Sequence, residues 1–179
     1  MTQNLRNLHI ATERLNLRAF TLDDVDALHA LTLQPEITDI LNDWAMSQEQ
    51  CTQWLTWHCK RYDDFNPAQP ALPLAICLPA GEMIGWLGIW PKPSVKVDWP
   101  EMAYAISRDH RGQGYVSEAV RAASNWLFEC GPLPALMAIA KPEHEPSRRV
   151  LLRSGFTQQG TVECADDGTF DYFVLARPA

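Results

Sequence analysis

Several short stretches of the chain alternate apolar with polar residues, and this period of two predicts β-strands. In "LHIATERLNLRAF", Leu15 and Leu17 alternate with polar neighbours, as in a strand with one wet face. The wholly apolar "ALMAIA" is typical of a strand buried on both faces. Turn-forming residues separate further strands, which we predict in "LPLAICL", "MIGWLGIW", "WPEMAYAIS", "FTQQGTVEC" and "TFDYFVLA".

Other stretches place apolar residues three and four positions apart, which predicts helices. Two of them begin at hydroxyl residues that can cap free amides, Thr21 in "TLDDVDALHAL" and Ser47 in "SQEQCTQWLTWHCKRY". The most regular helix covers residues 114–128 and ends at a Gly-Pro pair. A short helix begins near Pro146 and ends before Gly155, which we expect to cap it.

The order of these elements limits the fold. It reads strand, two helices, three strands, helix, strand, helix and two strands. Hairpins lie on both sides of one strand–helix–strand crossover, and such a crossover produces a parallel pair of strands. A chain of 179 residues can bury a sizeable core as one domain. We therefore predict a single α+β domain over residues 1–179, with a mixed, mostly antiparallel sheet of about six to seven strands.

Charge limits the class of partner. The formal net charge is −7 and the sequence pI is near 5.1. Nucleic-acid phosphates attract basic surfaces, so no nucleic-acid partner is expected. An acidic surface attracts cations such as amines, although mild acidity equally serves solubility alone.

Cysteine usage and hydropathy limit the compartment. The five cysteines are an odd number and none forms a CxxC pair, so we expect neither a disulfide framework nor a metal site. No run approaches the roughly 20 apolar residues of a membrane span. The stretch "MTQNLRNLHI" has no apolar core of signal-peptide length. We predict a cytoplasmic protein with no membrane partner.

The stretch "SRDHRGQGYVSEAV" concentrates glycine and positive charge where a strand turns into the best helix. The first turn of a helix has amides without partners, and Gly112 and Gly114 let an anion approach the backbone. Arg108 and Arg111 add positive charge. A phosphate fits this loop, although glycines at such a turn equally serve geometry alone. The spacing matches neither a Walker loop nor a dinucleotide fingerprint.

Three segments resemble one family, the GNAT N-acetyltransferases. "HRGQGYVSEA" is similar to their acetyl-CoA loop, where Arg111 and Gly114 match the pattern. "TERLNLRAFTLDD" and "KPEHEPSRRVLLRSGF" resemble the Rim-type (RimJ/RimL-like) branch, which acetylates N-termini of ribosomal proteins. The resemblance implies acetyl-CoA as the acetyl donor and a GNAT-like fold, with helices on both faces and a central, splayed parallel pair. It also implies that the pyrophosphate is held by the loop residues Arg111, Gly112, Gln113, Gly114, Tyr115 and Val116.

The resemblance also implies contacts to the pantetheine arm and the thiolate. The arm inserts between the splayed strands and pairs with the backbone of Ala105, Ile106 and Ser107. His144 stands at the position of an asparagine that contacts the arm. Ser147 matches the serine that assists the leaving thiolate, and an N-cap role in its helix is the alternative.

A general base is also needed, because an ammonium ion has no lone pair. We predict Glu101, which precedes the cofactor-pairing strand. Glu82, Glu143 and Asp98 are other carboxylates in plausible positions. We expect Tyr104 to be a packing or cofactor-edge residue.

The acceptor is the least determined part of the prediction. The resemblance favours the N-terminal amine of a ribosomal protein, and a polyamine, amino acid or antibiotic is the alternative. Val116 and His144 depart from the family pattern, which leaves open a CoA-binding module without catalysis. We expect a monomer or a homodimer.

Overall fold

The computed structural model describes residues 3–97, 99–164 and 168–179, and its strands join in one mixed sheet. The strands are β1 (His9–Ala11), β2 (Asn16–Arg18), β3 (Leu72–Cys77), β4 (Met83–Trp90), β5 (Glu101–Ile106), β6 (Ala135–Ala140), β7 (Thr157–Cys164) and β8 (Gly168–Ala176). The helices are α1 (Val25–Thr32), α2 (Pro35–Thr38), α3 (Gln48–Arg61), α4 (Tyr115–Cys130) and α5 (Glu145–Arg153). The candidate base Asp98 and residues 165–167, in the last predicted hairpin, lie outside the described residues.

The α+β fold class and the order of the main elements are confirmed, with β4 and β6 matching "MIGWLGIW" and "ALMAIA". The strand number was too low, because the described residues form eight strands in the order β1-β2-β3-β4-β5-β6-β8-β7. The stretch predicted as one first strand is a hairpin. In it the Thr12 amide donates to the Leu15 carbonyl, which turns β1 back onto β2.

The parallel strands β5 and β6 diverge along their length. In the described part of these strands the one registered pair is Glu101 with Met137, and the Met137 amide donates to the Pro100 carbonyl. On their other sides both strands are paired throughout, β5 with β4 and β6 with β8. The splay predicted from the resemblance is therefore present, and it opens toward the C-terminal end of β5.

Helices cover both faces of this sheet, as predicted. On one face Trp86 of β4 stacks on Trp44, which precedes α3. On the other face α4 and α5 pack together, α4 packs on β5, and α5 packs on β6. The capping box predicted at Ser47 is formed, since the Gln50 amide donates to the Ser47 hydroxyl and the Gln50 side chain accepts from the Ser47 amide. The sequence pattern did not predict the four-residue helix α2, which begins at Pro35.

Candidate active site

A cavity of about 410 Å³ lies where β5 and β6 diverge. Side chains alternate along a strand, so Glu101 and Ala105 share the α3 face with their β4 partners, whereas Tyr104 points to the α5 face. Because residues from both faces line the cavity, it reaches through the sheet at the splay. Five predicted site residues line it: Glu101, Ala105, Arg111, His144 and Ser147.

Two hydroxyl groups meet at the α5 end of the cavity. The Tyr104 and Ser147 hydroxyl oxygens are 2.9 Å apart, and the Tyr104 hydroxyl also approaches the Ser147 carbonyl at 3.2 Å. Burial raises the pKa of the Tyr104 phenol, which is therefore protonated at neutral pH. The pair forms a neutral hydrogen-bonding unit.

The alternative role of Ser147 as N-cap is wrong. Helix α5 begins at Glu145, and its N-cap is His144, so Ser147 lies within the first turn. The helix starts one residue before Pro146, and proline is tolerated in a first turn because its missing N–H needs no partner there.

An ion pair anchors the start of α5 to the sheet. Arg148 lies 2.8 Å from the carboxylate of Asp171 on β8, and Asp171 is buried. The same guanidinium lies 3.2 Å from Glu145, one turn earlier in the helix. Since Ser147 is adjacent to Arg148, these contacts hold Ser147 against Tyr104.

The opposite end of the cavity contains a buried carboxylate. Glu101 is only 6% exposed, and its carboxylate lies 3.3 Å from the Lys92 ammonium. Burial raises the pKa of Glu101, while Lys92 counteracts part of this rise and Asp43 adds to it. A carboxylate with a raised pKa is a stronger base than an exposed glutamate, as general-base catalysis at neutral pH requires.

Indole rings form a wall beside Glu101. Trp44 stacks on Trp86 with ring centroids 3.9 Å apart and an interplanar angle of 17°. The ring centroids of Trp86 and Trp90 are 6.1 Å apart, with an interplanar angle of 28°. A Cβ on Gly88 would overlap the Trp90 ring, so the absence of a side chain there lets this indole lie over β4. Trp44 and Trp86 are buried, so Trp90 is the ring of this wall that a flat, apolar group or a cation can reach.

The free main-chain groups at the splay follow from the β4–β5 register. The Ser107 amide donates to the Ile84 carbonyl, so it is engaged with β4. Hydrogen-bonding direction alternates along an antiparallel strand, and Ala105 therefore also faces β4. Tyr104 and Ile106 direct their main-chain groups toward the splay. Of the three predicted backbone contacts, the position of Ile106 fits pairing with an inserted arm best.

The glycine loop has the geometry of an anion-binding turn. Gly112 and Gly114 have φ values of 75° and 80°, a region that favours glycine, and Gly114 is the N-cap of α4. No heavy atom lies within 4 Å of a Cβ built on Gly112, so this side of the backbone is open. Val116, which departs from the family pattern, packs its side chain into the core, so this side chain does not fill space at the loop surface.

The first hairpin supports this loop, a contact that the sequence pattern did not indicate. The Arg14 guanidinium donates to the Gln113 carbonyl at 2.8 Å and lies 4.8 Å from the centre of the Tyr115 ring. Glu118 of α4 holds Arg14 in an ion pair of 2.6 Å. Arg14 thus ties the first hairpin to the predicted pyrophosphate loop.

The segment before α2 also contacts this loop. The Gln34 side chain donates to the Ser107 hydroxyl at 3.1 Å and accepts from the Arg108 amide at 2.8 Å. Arg111 donates to the Glu36 carbonyl at 2.7 Å. Because Glu36 and Ile37 of α2 line the cavity, these bonds connect the loop to the cavity wall.

His144 lies at the mouth of the cavity beside α5. Its burial, together with the nearby Arg111, lowers its pKa, whereas Glu143 raises it. The imidazole is therefore neutral at pH 7 and can donate or accept a hydrogen bond. This fits the arm contact predicted at His144.

Two of the predicted alternative bases, Glu82 and Glu143, are not part of the cavity lining. Glu82 lies in the β3–β4 turn, Glu143 lies before α5, and both are exposed. The predicted loop residues Gly112, Gln113, Gly114, Tyr115 and Val116 lie at the N-terminus of α4 rather than on the cavity wall.

This set of groups fits a coenzyme A thioester. The glycine turn offers amides to a diphosphate, and unpaired strand groups face the splay where an amide-bearing arm can lie. The two hydroxyls lie on the α5 side of the splay.

Residues 14–157 match the family model described as an acetyltransferase (GNAT) domain. The chain belongs to the GNAT acetyltransferase family. It is an acetyl-CoA-dependent N-acetyltransferase, as the resemblance of the glycine loop implied.

Relatives and solved structures of this family differ in their acceptors. An uncharacterized N-acetyltransferase, p20 of Bacillus licheniformis, is 27% identical over 152 residues, covering 84% of this chain and 83% of that protein. A ribosomal-protein-S5-alanine acetyltransferase from Vibrio fischeri aligns with a TM-score of 0.78 at 15% identity, over 96% and 97% of the two chains. The aminoglycoside acetyltransferase AAC(6')-Ib, in complex with coenzyme A and kanamycin, aligns with a TM-score of 0.74 at 20% identity, over 91% and 95%.

The described residues contain no helix long and apolar enough to cross a membrane. Nor do residues 3–97, 99–164 and 168–179 include a group of three or more His, Cys, Asp or Glu side chains that could hold a metal ion.

Proposed function

We propose that this GNAT enzyme acetylates a primary amine seated between Glu101 and the indole wall. Glu101 is the general base, and the Ser147–Tyr104 pair assists the departing thiolate. The observation that supports this assignment is the single cavity that joins the buried carboxylate to the two hydroxyls through the splay. Acetyl transfer needs a proton acceptor near the amine and a proton donor near the sulfur. Glu101 would supply the acceptor at one end of the cavity, and the hydroxyl pair would supply the donor at the other.

Each residue has one step in this mechanism. When bound, acetyl-CoA supplies the thioester carbonyl that the amine attacks. Glu101 accepts the proton that the ammonium must lose. The main-chain groups of Tyr104 and Ile106 hold the arm in the splay, which positions the carbonyl for attack. As the C–N bond forms and the C–S bond breaks, Ser147 donates a hydrogen bond or proton to the sulfur, and Tyr104 supports Ser147.

The acceptor that we propose first is the N-terminal amine of a protein, and specifically of a ribosomal protein. Two observations support it: the Rim-type segments of the sequence, and the likeness to the Escherichia coli ribosomal-protein-serine acetyltransferase, which is 29% identical over 66 residues, 37% of either chain. We also propose a cytoplasmic location, because five cysteines without a CxxC pair suit a reducing compartment.

A small-molecule amine is the second candidate acceptor. The indole wall favours it, because stacked rings beside a carboxylate form a compact site for a cation on a flat carrier. Acetyl transfer to a panel of N-terminal peptides, polyamines and aminoglycosides, read by mass spectrometry, decides between the two acceptors.

The same panel tests the non-catalytic alternative. An enzyme turns over at least one amine. A binding module gives no turnover, but acetyl-CoA stabilises it and ATP does not. At 100 times its dissociation constant, acetyl-CoA should raise the free energy of unfolding by about 2.7 kcal/mol. Stabilisation without turnover of any amine contradicts the proposal, and so does the lack of both.

A further inference from the structure

Glu101 already holds an ammonium group. The Lys92 ammonium lies 3.3 Å from its carboxylate, and only 8% of the Glu101 side chain is exposed. A protonated acceptor amine needs the same contact before it gives its proton to this base. Lys92 therefore occupies the place where an acceptor ammonium would bind.

Lys92 also has room to leave this place. It lines the main cavity and a second cavity of about 140 Å³ on its other side, formed by Pro70, Pro93, Trp99 and neighbouring residues. Its side chain is 30% exposed, so the ammonium keeps access to water when it separates from Glu101. Rotation of the Lys92 side chain alone can therefore move its ammonium from the main cavity to the second cavity.

We propose that Lys92 is a built-in occupant of the acceptor-ammonium subsite, which a protonated amine on a flat, apolar carrier displaces. This inference rests on the assignment of Glu101 under the proposed function. Lys92 holds Glu101 in the free enzyme, the acceptor ammonium takes its place, and the carrier packs on the half-buried Trp90.

The physical reason is the cost of a buried, unpaired carboxylate. Removing the partner of a buried charge is strongly destabilising, whereas exchanging one ammonium for another keeps Glu101 paired. A neutral acceptor such as an alcohol cannot make this exchange. Lys92 therefore selects amines that enter as cations.

Other charged groups at the cavity leave this exchange intact. Asp43 faces Glu101 and also attracts an incoming cation. The remaining charged or titratable residues of the lining are Glu36, Tyr104, Arg111, Lys141 and His144. Arg111 is bonded to the Glu36 carbonyl, so this cation is engaged away from Glu101.

The test is the binding of 2-phenylethylammonium, measured by calorimetry at mildly alkaline pH. Lys92→Met keeps the side-chain length without the charge, and Lys96→Met, on the same loop and exposed, is the matched control. If Lys92 occupies the subsite in about nine molecules of ten, its removal tightens binding about tenfold. Lys96→Met leaves binding unchanged, and Glu101→Gln weakens it.

Binding of 2-phenylethanol separates displacement from a mere gain of space. The alcohol has the same carrier but no charge, so Lys92→Met should not tighten its binding. Equal gains for both ligands overturn the proposal, as does unchanged, weaker or undetectable binding of the amine to Lys92→Met. Melting temperatures show whether each variant is folded. Binding is measured without acetyl transfer, so this test is independent of the amine panel. The displacement proposal can be wrong while the panel shows turnover, and it can be right while the panel shows none.

Discussion

The two ends of the cavity are built from different chemistry. At one end Tyr104 and Ser147 form a neutral pair that neighbours unpaired main-chain groups of β5. At the other end, where we propose that the acceptor binds, lie a buried carboxylate, a lysine and stacked indoles. The thiolate that leaves is the same whatever the acceptor, so the first end needs no selectivity. Selection among acceptors belongs to the second end, where charge and ring surface can discriminate.

Loss of the glycine turn should weaken the binding of acetyl-CoA more than any other change. Gly114→Val places a β-branched residue at a φ of 80° beside Arg14, and we expect acetyl-CoA affinity to fall by at least ~100-fold, about 2.7 kcal/mol. Gly81→Val is the matched control, because Gly81 has a φ of 98° in a turn far from the cavity. Calorimetry with acetyl-CoA measures both variants. Equal losses of affinity would mean that backbone strain, and not the loop, is responsible.

Removal of the base should affect chemistry and not donor binding. Glu101→Gln is expected to lower kcat by about 10²–10³-fold, with acetyl-CoA affinity within about twofold of the original. Glu82→Gln, which changes an exposed carboxylate outside the cavity, should leave kcat unchanged. Steady-state kinetics with the best amine of the panel provide the measurement. A kcat that survives Glu101→Gln would assign the base elsewhere.

The hydroxyl pair should have a smaller effect, because in the proposed mechanism it only assists the departing thiolate. Ser147→Ala and Tyr104→Phe are each expected to lower kcat about tenfold, and the double variant little more, since the two act as a unit. Ser154→Ala, at the end of the same helix, removes a hydrogen bond to the Val150 carbonyl and should leave kcat unchanged. Additive losses from the double variant would show that the two hydroxyls act separately.

The smallest effect on catalysis is expected at an ion pair remote from both ends. Arg18 makes two hydrogen bonds, of 2.7 and 2.8 Å, to buried Asp24. Burial acts to raise the pKa of Asp24, but hydrogen bonds from Arg18 and Thr21 outweigh it and the pKa is lowered. Asp24→Asn should cost about 1.5–3 kcal/mol of unfolding free energy at neutral pH and leave kcat unchanged.

The pH dependence of that loss has a definite sign. A carboxylate with a lowered folded pKa stabilises the fold above its unfolded pKa, and this contribution disappears as pH falls through the folded value. The stability gap between the original chain and Asp24→Asn should therefore close in acid, below the ordinary range of aspartate. Urea unfolding at several pH values measures it, with Asp23→Asn as an exposed neighbour for comparison. A gap that widens in acid would contradict the assignment.

The glycine loop was predictable because its signal is local. Gly112 and Gly114 take positive φ values at the start of α4, and both residues stand in one short stretch of sequence. The strands β4 and β6 were predictable for the same reason, since a buried strand is apolar along its own length. Burial of Glu101 was not predictable, because an isolated acidic residue before a strand is usually exposed.

The catalytic partners of these residues were not predictable. Tyr104 was expected to pack, and its hydroxyl meets Ser147 only because α5 lies across the splayed strand. Arg14 reaches Gln113 from a hairpin 99 residues earlier in the chain. That stretch was predicted as a single strand, and the prediction did not indicate the contact. Nothing in the spacing of Trp44 and Trp86 indicates that they stack.

By itself the sequence determined the order of elements, the anion-binding turn and the family, because each depends on residues that are neighbours along the chain. Tertiary structure alone decided that Lys92 pairs with Glu101, that Tyr104 joins Ser147 and that three indoles form one wall. Contacts of this kind depend on the register of β4 with β5 and on the divergence of β6. Those are properties of the packed sheet, and hydrophobic burial selects them for the chain as a whole.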